Sequence, residues 1–183
     1  MSTTSTSLER LPVGVYNLDP THANVGFAVR HLGISTVRGS FERFQGTFDA
    51  TGDAPVLQGA VEVASINTGD AQRDAHLAAP DFFDAERQAE IRFHSTGAES
   101  PEPGKVRLTG EITIKGITKP IELTGTIDGG EDPWGNERVG IDLEATIDRR
   151  EFDLTFNQTL PNGGLLIGNE VKLLVSAEAV KAA

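Results

Sequence analysis

The chain has 183 residues, 38% hydrophobic and 23% charged, a composition that suits one soluble globular domain with a substantial core. Its formal net charge of −11 argues against nucleic acid or an anionic membrane surface as a partner. It contains no cysteine, which removes a disulfide framework, a thiolate nucleophile and any Cys-ligated metal.

The chain opens on a polar Ser/Thr-rich run and shows neither a basic n-region nor an apolar h-region. A flexible tail over 1–12, a single domain over 13–183, no secretory signal and a cytoplasmic location are therefore expected. Nothing approaches the length of a membrane span, so no stable membrane insertion is expected.

Strand signals then dominate. Strands are predicted over 13–19 and 23–31, the second with Val25, Phe27, Val29 and His31 on one face. The next, 41–49, carries Phe41, Phe44 and Phe48. The step from 41 to 44 breaks parity, and a β-bulge would repair it. A strand over 56–66 follows. Residues 70–79 interrupt the rhythm with good helix formers that stop at Pro80, and Asp70 places a carboxylate in the first turn. Phe82 and Phe83 come next in a loop. Adjacent aromatics cannot both point inward from a strand, so one is expected to plug the fold or line its mouth.

Later strands are predicted over 90–96, 105–115, 120–128, 138–148 and 170–180, each with one apolar face. The links are short and turn-like, as at Gly33, Thr51-Gly52-Asp53 and Asp128-Gly129-Gly130. Short links favour antiparallel neighbours, and a meander of this size tends to close because closure removes its exposed edges. A closed barrel is preferred over a sandwich.

Glycine recurs on the apolar faces of these strands. Gly59 shares a face with Leu57, Val61 and Val63; Gly110 with Leu108 and Ile112; Gly125 with Leu123 and Ile127. Such positions mean either a sharply bent wall or a wall with space behind it, and parity alone leaves both open.

Several stretches taken together resemble the YceI-like family of lipid-binding β-barrel proteins. They are Tyr16-Asn17-Leu18-Asp19-Pro20-Thr21-His22, the run from Val29 to Phe41, that from Ser65 to Leu77, Asp81-Phe82-Phe83-Asp84, the run from Leu108 to Pro120, and Ile167-Gly168-Asn169-Glu170-Val171-Lys172-Leu173. The resemblance implies an all-β, extended antiparallel eight-stranded lipocalin-like barrel with one short helix near the rim. It also implies a hydrophobic pore for a polyisoprenoid or fatty-acid-like chain, a homodimer and no firmly attached catalytic activity. Many members are exported, and this chain shows no signal. The family often has Gly after the Phe of its Arg-x-x-Phe-Gly stretch and a Trp soon after, where this chain has Asp153 and Phe156.

The candidate ligand-binding residues are Phe27, Val29, His31, Phe41 and Phe48, then Arg73, Phe82 and Phe83, then Phe93, Leu108, Ile112, Leu123 and Leu143. For most apolar positions an ordinary filled core is the competing reading, since an eight-stranded barrel is just wide enough to fill itself or hold one small ligand. The histidines at 22, 31, 76 and 94 match no compact metal motif. His22 and His31 sit at the ends of one predicted strand, roughly 30 Å apart, too far to share an ion. His31 continues the inward parity of Phe27 and Val29 and is a candidate partner for a head group; a structural histidine is the alternative. Arg73 is available to an anionic head or to a helix-to-barrel salt bridge. Lys115 and Lys119 read as a solvated turn. No nucleophile elbow, phosphate loop or dinucleotide fingerprint is present.

The expectation is non-enzymatic binding, transport or storage of a long-chain amphiphilic lipid, without a cofactor or metal. An enzyme acting on a lipid or quinone-like substrate, and a stress-related interaction protein with a filled barrel, stand as alternatives.

Overall fold

The computed structural model describes residues 7–183. Its strands are β1 (Val15–His31), β2 (Ser35–Phe41), β3 (Phe44–Asp49), β4 (Val56–Glu62), β5 (Ile66–Asn67), β6 (Glu90–Glu99), β7 (Val106–Ile114), β8 (Ile117–Glu131), β9 (Glu137–Asp148) and β10 (Ile167–Lys181). One helix, α1 (Ala71–Ala78), lies between β5 and β6. Eight strands close an antiparallel barrel in the order β10-β9-β8-β7-β6-β4-β3-β1, with β1 pairing back onto β10. The two extra strands extend the wall. β2 pairs with the second half of β1, where β3 pairs with the first, and β5 pairs with β2.

Several local outcomes differ from the sequence expectation. The two strands expected over 13–19 and 23–31 are one, β1, whose register against β10 shifts between Leu18 and Ala23. The wall expected to start at Phe41 starts at Ser35. Ser35, Thr36, Arg38 and Ser40 hide the alternation of Val37, Gly39 and Phe41, so the segment lacks an apolar signature. The parity break between Phe41 and Phe44 is the interruption between β2 and β3. There the Arg43 N–H donates to Ser65 Oγ (3.0 Å), and Ser65 Oγ donates to the Glu62 carbonyl (2.6 Å). Of the expected tail, residues 1–6 lie outside the described residues. Ser7–Arg10 form a 3-10 turn, and Leu8 and Leu11 pack on the core because burying them removes apolar area from water.

The glycine question resolves position by position. A Cβ on Gly110 would lie 2.2 Å from the His94 carbonyl oxygen, and one on Gly125 1.9 Å from that of Asp142. At both, neighbouring strands approach too closely for any side chain, so these glycines bend the wall.

The interior is divided. Tyr16, Phe48, Val106, Leu108, Ile127, Val139, Ile141 and Leu143 fill one end as a packed cluster. At the other end the buried side chains form two smaller groups, one around Phe82, Ile112, Ile114, Phe152 and Leu154, the other around Phe41, Val61 and Ile66. Between them lies a cavity.

Candidate ligand-binding site

The cavity has a volume of about 560 Å³, within the 300–1,000 Å³ typical of small-molecule sites. Its wall is built by cross-strand pairing of inward positions. On β1 and β10, Val25 faces Val175, Phe27 faces Leu173, Val29 faces Val171 and His31 faces Ile167. On the other side of β1, Val29 faces Val37 and Val25 faces Phe41. Gly39 sits opposite Phe27, and the Phe27 ring lies over it where a Cβ would be. The floor is Leu57 and Leu123, which also belong to the packed end.

A cap covers the hollow end. Asp70 is the N-cap of α1, its carboxylate accepting from the Arg73 N–H (2.9 Å), and this bond lowers its pKa. The helix ends before Pro80, and the turn that follows folds back, the Phe83 N–H donating to the Leu77 carbonyl (3.0 Å). Both phenylalanines of this turn line the cavity, which a turn permits and a strand does not. Phe83 meets Phe41 edge-on at 6.2 Å, and Phe82 meets Phe156 at 5.0 Å. The His76 ring stands edge-on to Phe82 and Phe156, 5.0 Å from each.

The cap is tied to the barrel by Lys115. The hairpin between β7 and β8 is closed by Lys115 and Gly116, both at positive φ, the geometry of a tight two-residue hairpin. Lys115 Nζ donates to the carbonyls of Asp153 (3.1 Å) and Pro80 (3.4 Å). It is not the solvated lysine expected.

Arg149 is the polar centre of the hollow end. Its residue is only 4% exposed and lines the cavity. Nε donates to the Gly168 carbonyl (2.9 Å) and Nη1 to those of Leu154 and Phe156, whereas Nη2 reaches only the Ile167 oxygen at 3.5 Å. Burial pushes its pKa down. These bonds shape the 3-10 turn Arg149–Phe152 and the loop leading to β10. The turn ends at Asp153 with φ 58°, a left-handed position that glycine fills most readily.

The structure brings Phe27, Val29, His31, Phe41, Arg73, Phe82, Phe83, Phe93, Ile112 and Leu123 together around the cavity. Phe48, Leu108 and Leu143 lie elsewhere, in the packed end. Arg73 forms no salt bridge with the barrel among the described residues. Its Nε and Nη2 donate to Thr68 Oγ1 (2.7 Å) and the Thr68 carbonyl (2.8 Å). Arg149 and Phe156 were missed from the sequence. A signal existed for Arg149, because it extends the inward parity of Leu143, Ala145 and Ile147 by one step. The described residues hold no group of three or more His, Cys, Asp or Glu able to bind a metal ion. No helix among them is long and apolar enough to cross a membrane.

The family model for the YceI-like domain matches residues 16–179. A UPF0312 protein of Photorhabdus laumondii is 35% identical over 164 residues, covering 87% of this chain and 82% of that protein. Protein YceI of Salmonella arizonae is 32% identical with the same coverage of both. Among solved structures, a Campylobacter jejuni YCEI protein matches with a TM-score of 0.72 and 29% identity, over 84% of this chain and 90% of that one. A polyisoprenoid binding domain from Saccharophagus degradans shares the fold, with a TM-score of 0.69 at 13% identity, over 93% of this chain and all of that one.

Proposed function

The chain belongs to the YceI-like family, and we propose that it binds a long-chain amphiphilic lipid, a polyisoprenoid or fatty-acid-like chain, in the barrel cavity without chemically altering it. One observation carries this reading. The barrel is packed at one end and hollow at the other, and the hollow is walled mostly by apolar side chains. A chain lying there is held by area burial, about 0.8 kcal/mol per methylene, against association costs of roughly 4–15 kcal/mol. A dozen buried methylenes supply about 10 kcal/mol, which offsets the lower half of that range, and each further methylene adds to the affinity. A domain of the same fold described as binding polyisoprenoids supports the choice of ligand class.

The site suits a carrier: the floor is closed by Leu57 and Leu123, while the exposed residues Arg73 and His76 line the capped end, where a ligand would enter. A homodimer and a cytoplasmic site of action complete the proposal and are checked by light scattering and cell fractionation. The central test is native mass spectrometry of the purified protein, followed by extraction and identification of any lipid. A stoichiometric long-chain species is the expected result. An empty protein that takes up neither isoprenoids nor fatty acids would overturn the reading. Val29→Trp, which fills the cavity from its wall, is expected to abolish uptake while leaving the barrel's circular dichroism unchanged.

A further inference from the structure

The charge on the cavity wall does not match the charge of the chain. With 27 acidic residues among 183, about six of the forty lining residues would carry a carboxylate at the chain's average. Among the described residues none does. The ionisable ones that line the cavity are four arginines and two histidines. Arg92 is neutralised by Glu90. Arg30, Arg73 and Arg149 contact hydroxyl or carbonyl oxygens and form no direct ion pair among the described residues, although Asp70 acts on Arg73 and Asp148 on Arg149 from nearby.

Several of these groups converge on the capped end. Arg73 and His76 are one turn apart on α1, and His76 Nε2 also pairs with the Asp81 carboxylate (3.1 Å). The His76 ring meets Phe156, whose carbonyl accepts from Arg149 Nη1 at 2.9 Å. His31 pairs in register with Ile167, whose carbonyl lies 3.5 Å from Arg149 Nη2. Arg149 is thus a buried cation whose hydrogen bonds all go to carbonyl oxygens, with donor capacity left on Nη2 and with Asp148, itself bonded to Arg150, as a neighbouring charge. A buried charge is costly, and a charge-assisted bond to an anion is stronger than one to a carbonyl.

We propose that the cavity selects an amphiphile with an anionic head, a carboxylate or phosphate on a single apolar chain, and that Arg149 and Arg73 receive this head beneath the α1 cap with His31 and His76 beside it. This rests on the lipid-binding reading above and names the ligand's head-group chemistry. An alcohol of the same chain length would fill the same apolar volume but bring the guanidinium groups no negative charge to bond.

The test compares head groups at constant tail. Affinities of the full-length protein are measured for hexadecanoate against hexadecanol, and for geranylgeranyl phosphate against geranylgeraniol, below their aggregation limits. The anion is expected to bind at least tenfold tighter than its alcohol in at least one pair, with the preferred pair identifying carboxylate or phosphate. Arg73→Gln is expected to weaken the anion's binding more than the alcohol's and so to shrink that ratio. Arg149 also organises a loop, so Arg149→Lys, which keeps the charge and loses the fork, accompanies it, and circular dichroism confirms its fold. Equal affinity for anion and alcohol in both pairs would overturn the proposal and leave lipid binding standing. A preference that neither variant reduces would overturn the assignment to these arginines. Failure of all four compounds to bind would overturn the lipid-binding reading itself.

Discussion

The half-packed, half-hollow interior predicts different costs for one substitution at its two ends. Leu108 is fully buried in the packed cluster, and Leu173 stands on the cavity wall with its side chain only partly covered. Leu→Ala removes three carbon groups at either site. In the packed end this forfeits about 2.4 kcal/mol of transfer free energy and adds a term for the void left behind, for a total of roughly 3–5 kcal/mol. At Leu173 the void already exists, so only part of the transfer term is lost, roughly 1 kcal/mol. At about 2–4 °C per kcal/mol for a domain of this size, Leu108→Ala should lower Tm by roughly 8–15 °C and Leu173→Ala by roughly 2–4 °C. Differential scanning calorimetry on ligand-free protein reads both. Uptake of an apolar fluorescent probe should survive Leu173→Ala. Equal Tm losses at the two positions would mean that the barrel is filled along its whole length, and would refute the cavity argument.

Other consequences concern the wall, the cap and acid stability. Gly110→Ala places a Cβ against the His94 carbonyl and should cost roughly 1–3 kcal/mol in chemical denaturation, whereas Gly130→Ala, with nothing within 4 Å, should be close to neutral. Asp153→Gly relieves a left-handed non-glycine residue and should raise Tm by a few degrees, roughly 0.5–1 kcal/mol; a fall would mean that the Asp153 side chain supports the Lys115 tie. Thr21 and His22, with a further bond from Arg138, hold Asp19 well below the usual carboxylate range. Burial works against the ionised form of Asp132, but bonds from Asn136, Arg138 and the Trp134 N–H outweigh it and lower its pKa to about 2. Both groups titrate lower in the folded state, so their stabilisation is complete above about pH 4 and is lost as pH falls toward 2. Arg138→Met should therefore flatten the decline of Tm between pH 4 and pH 2; an unchanged slope would contradict this assignment.

Much of the barrel was legible because strand periodicity is local. A side chain's face follows from the parity of its position, so Val25, Phe27, Val29 and His31 could be placed on one wall without knowing their neighbours. The helix was equally legible, since Asp70 and Pro80 act on their own backbone. Ser35–Phe41 was not, because its polar residues carry no apolar period and only pairing with β1 holds it as strand. Arg149 lay on the inward parity that Ile141, Leu143, Ala145 and Ile147 establish, but the turn chemistry after Asp148 obscured it.

The sequence by itself determined the inward face of most strands and, through their short links, that neighbours run antiparallel. Only the tertiary structure decided what the inward residues meet. Phe48, Leu108 and Leu143 have the same parity and apolar character as Phe27, Phe93 and Ile112, yet the first three fill one end and the others line a void. Likewise Gly110 and Gly125 mark close strand contacts rather than space for a ligand. Parity is a property of one strand. Enclosed volume depends on how eight strands tilt, bend and close, and on which loop lands across the opening, so no single segment encodes it.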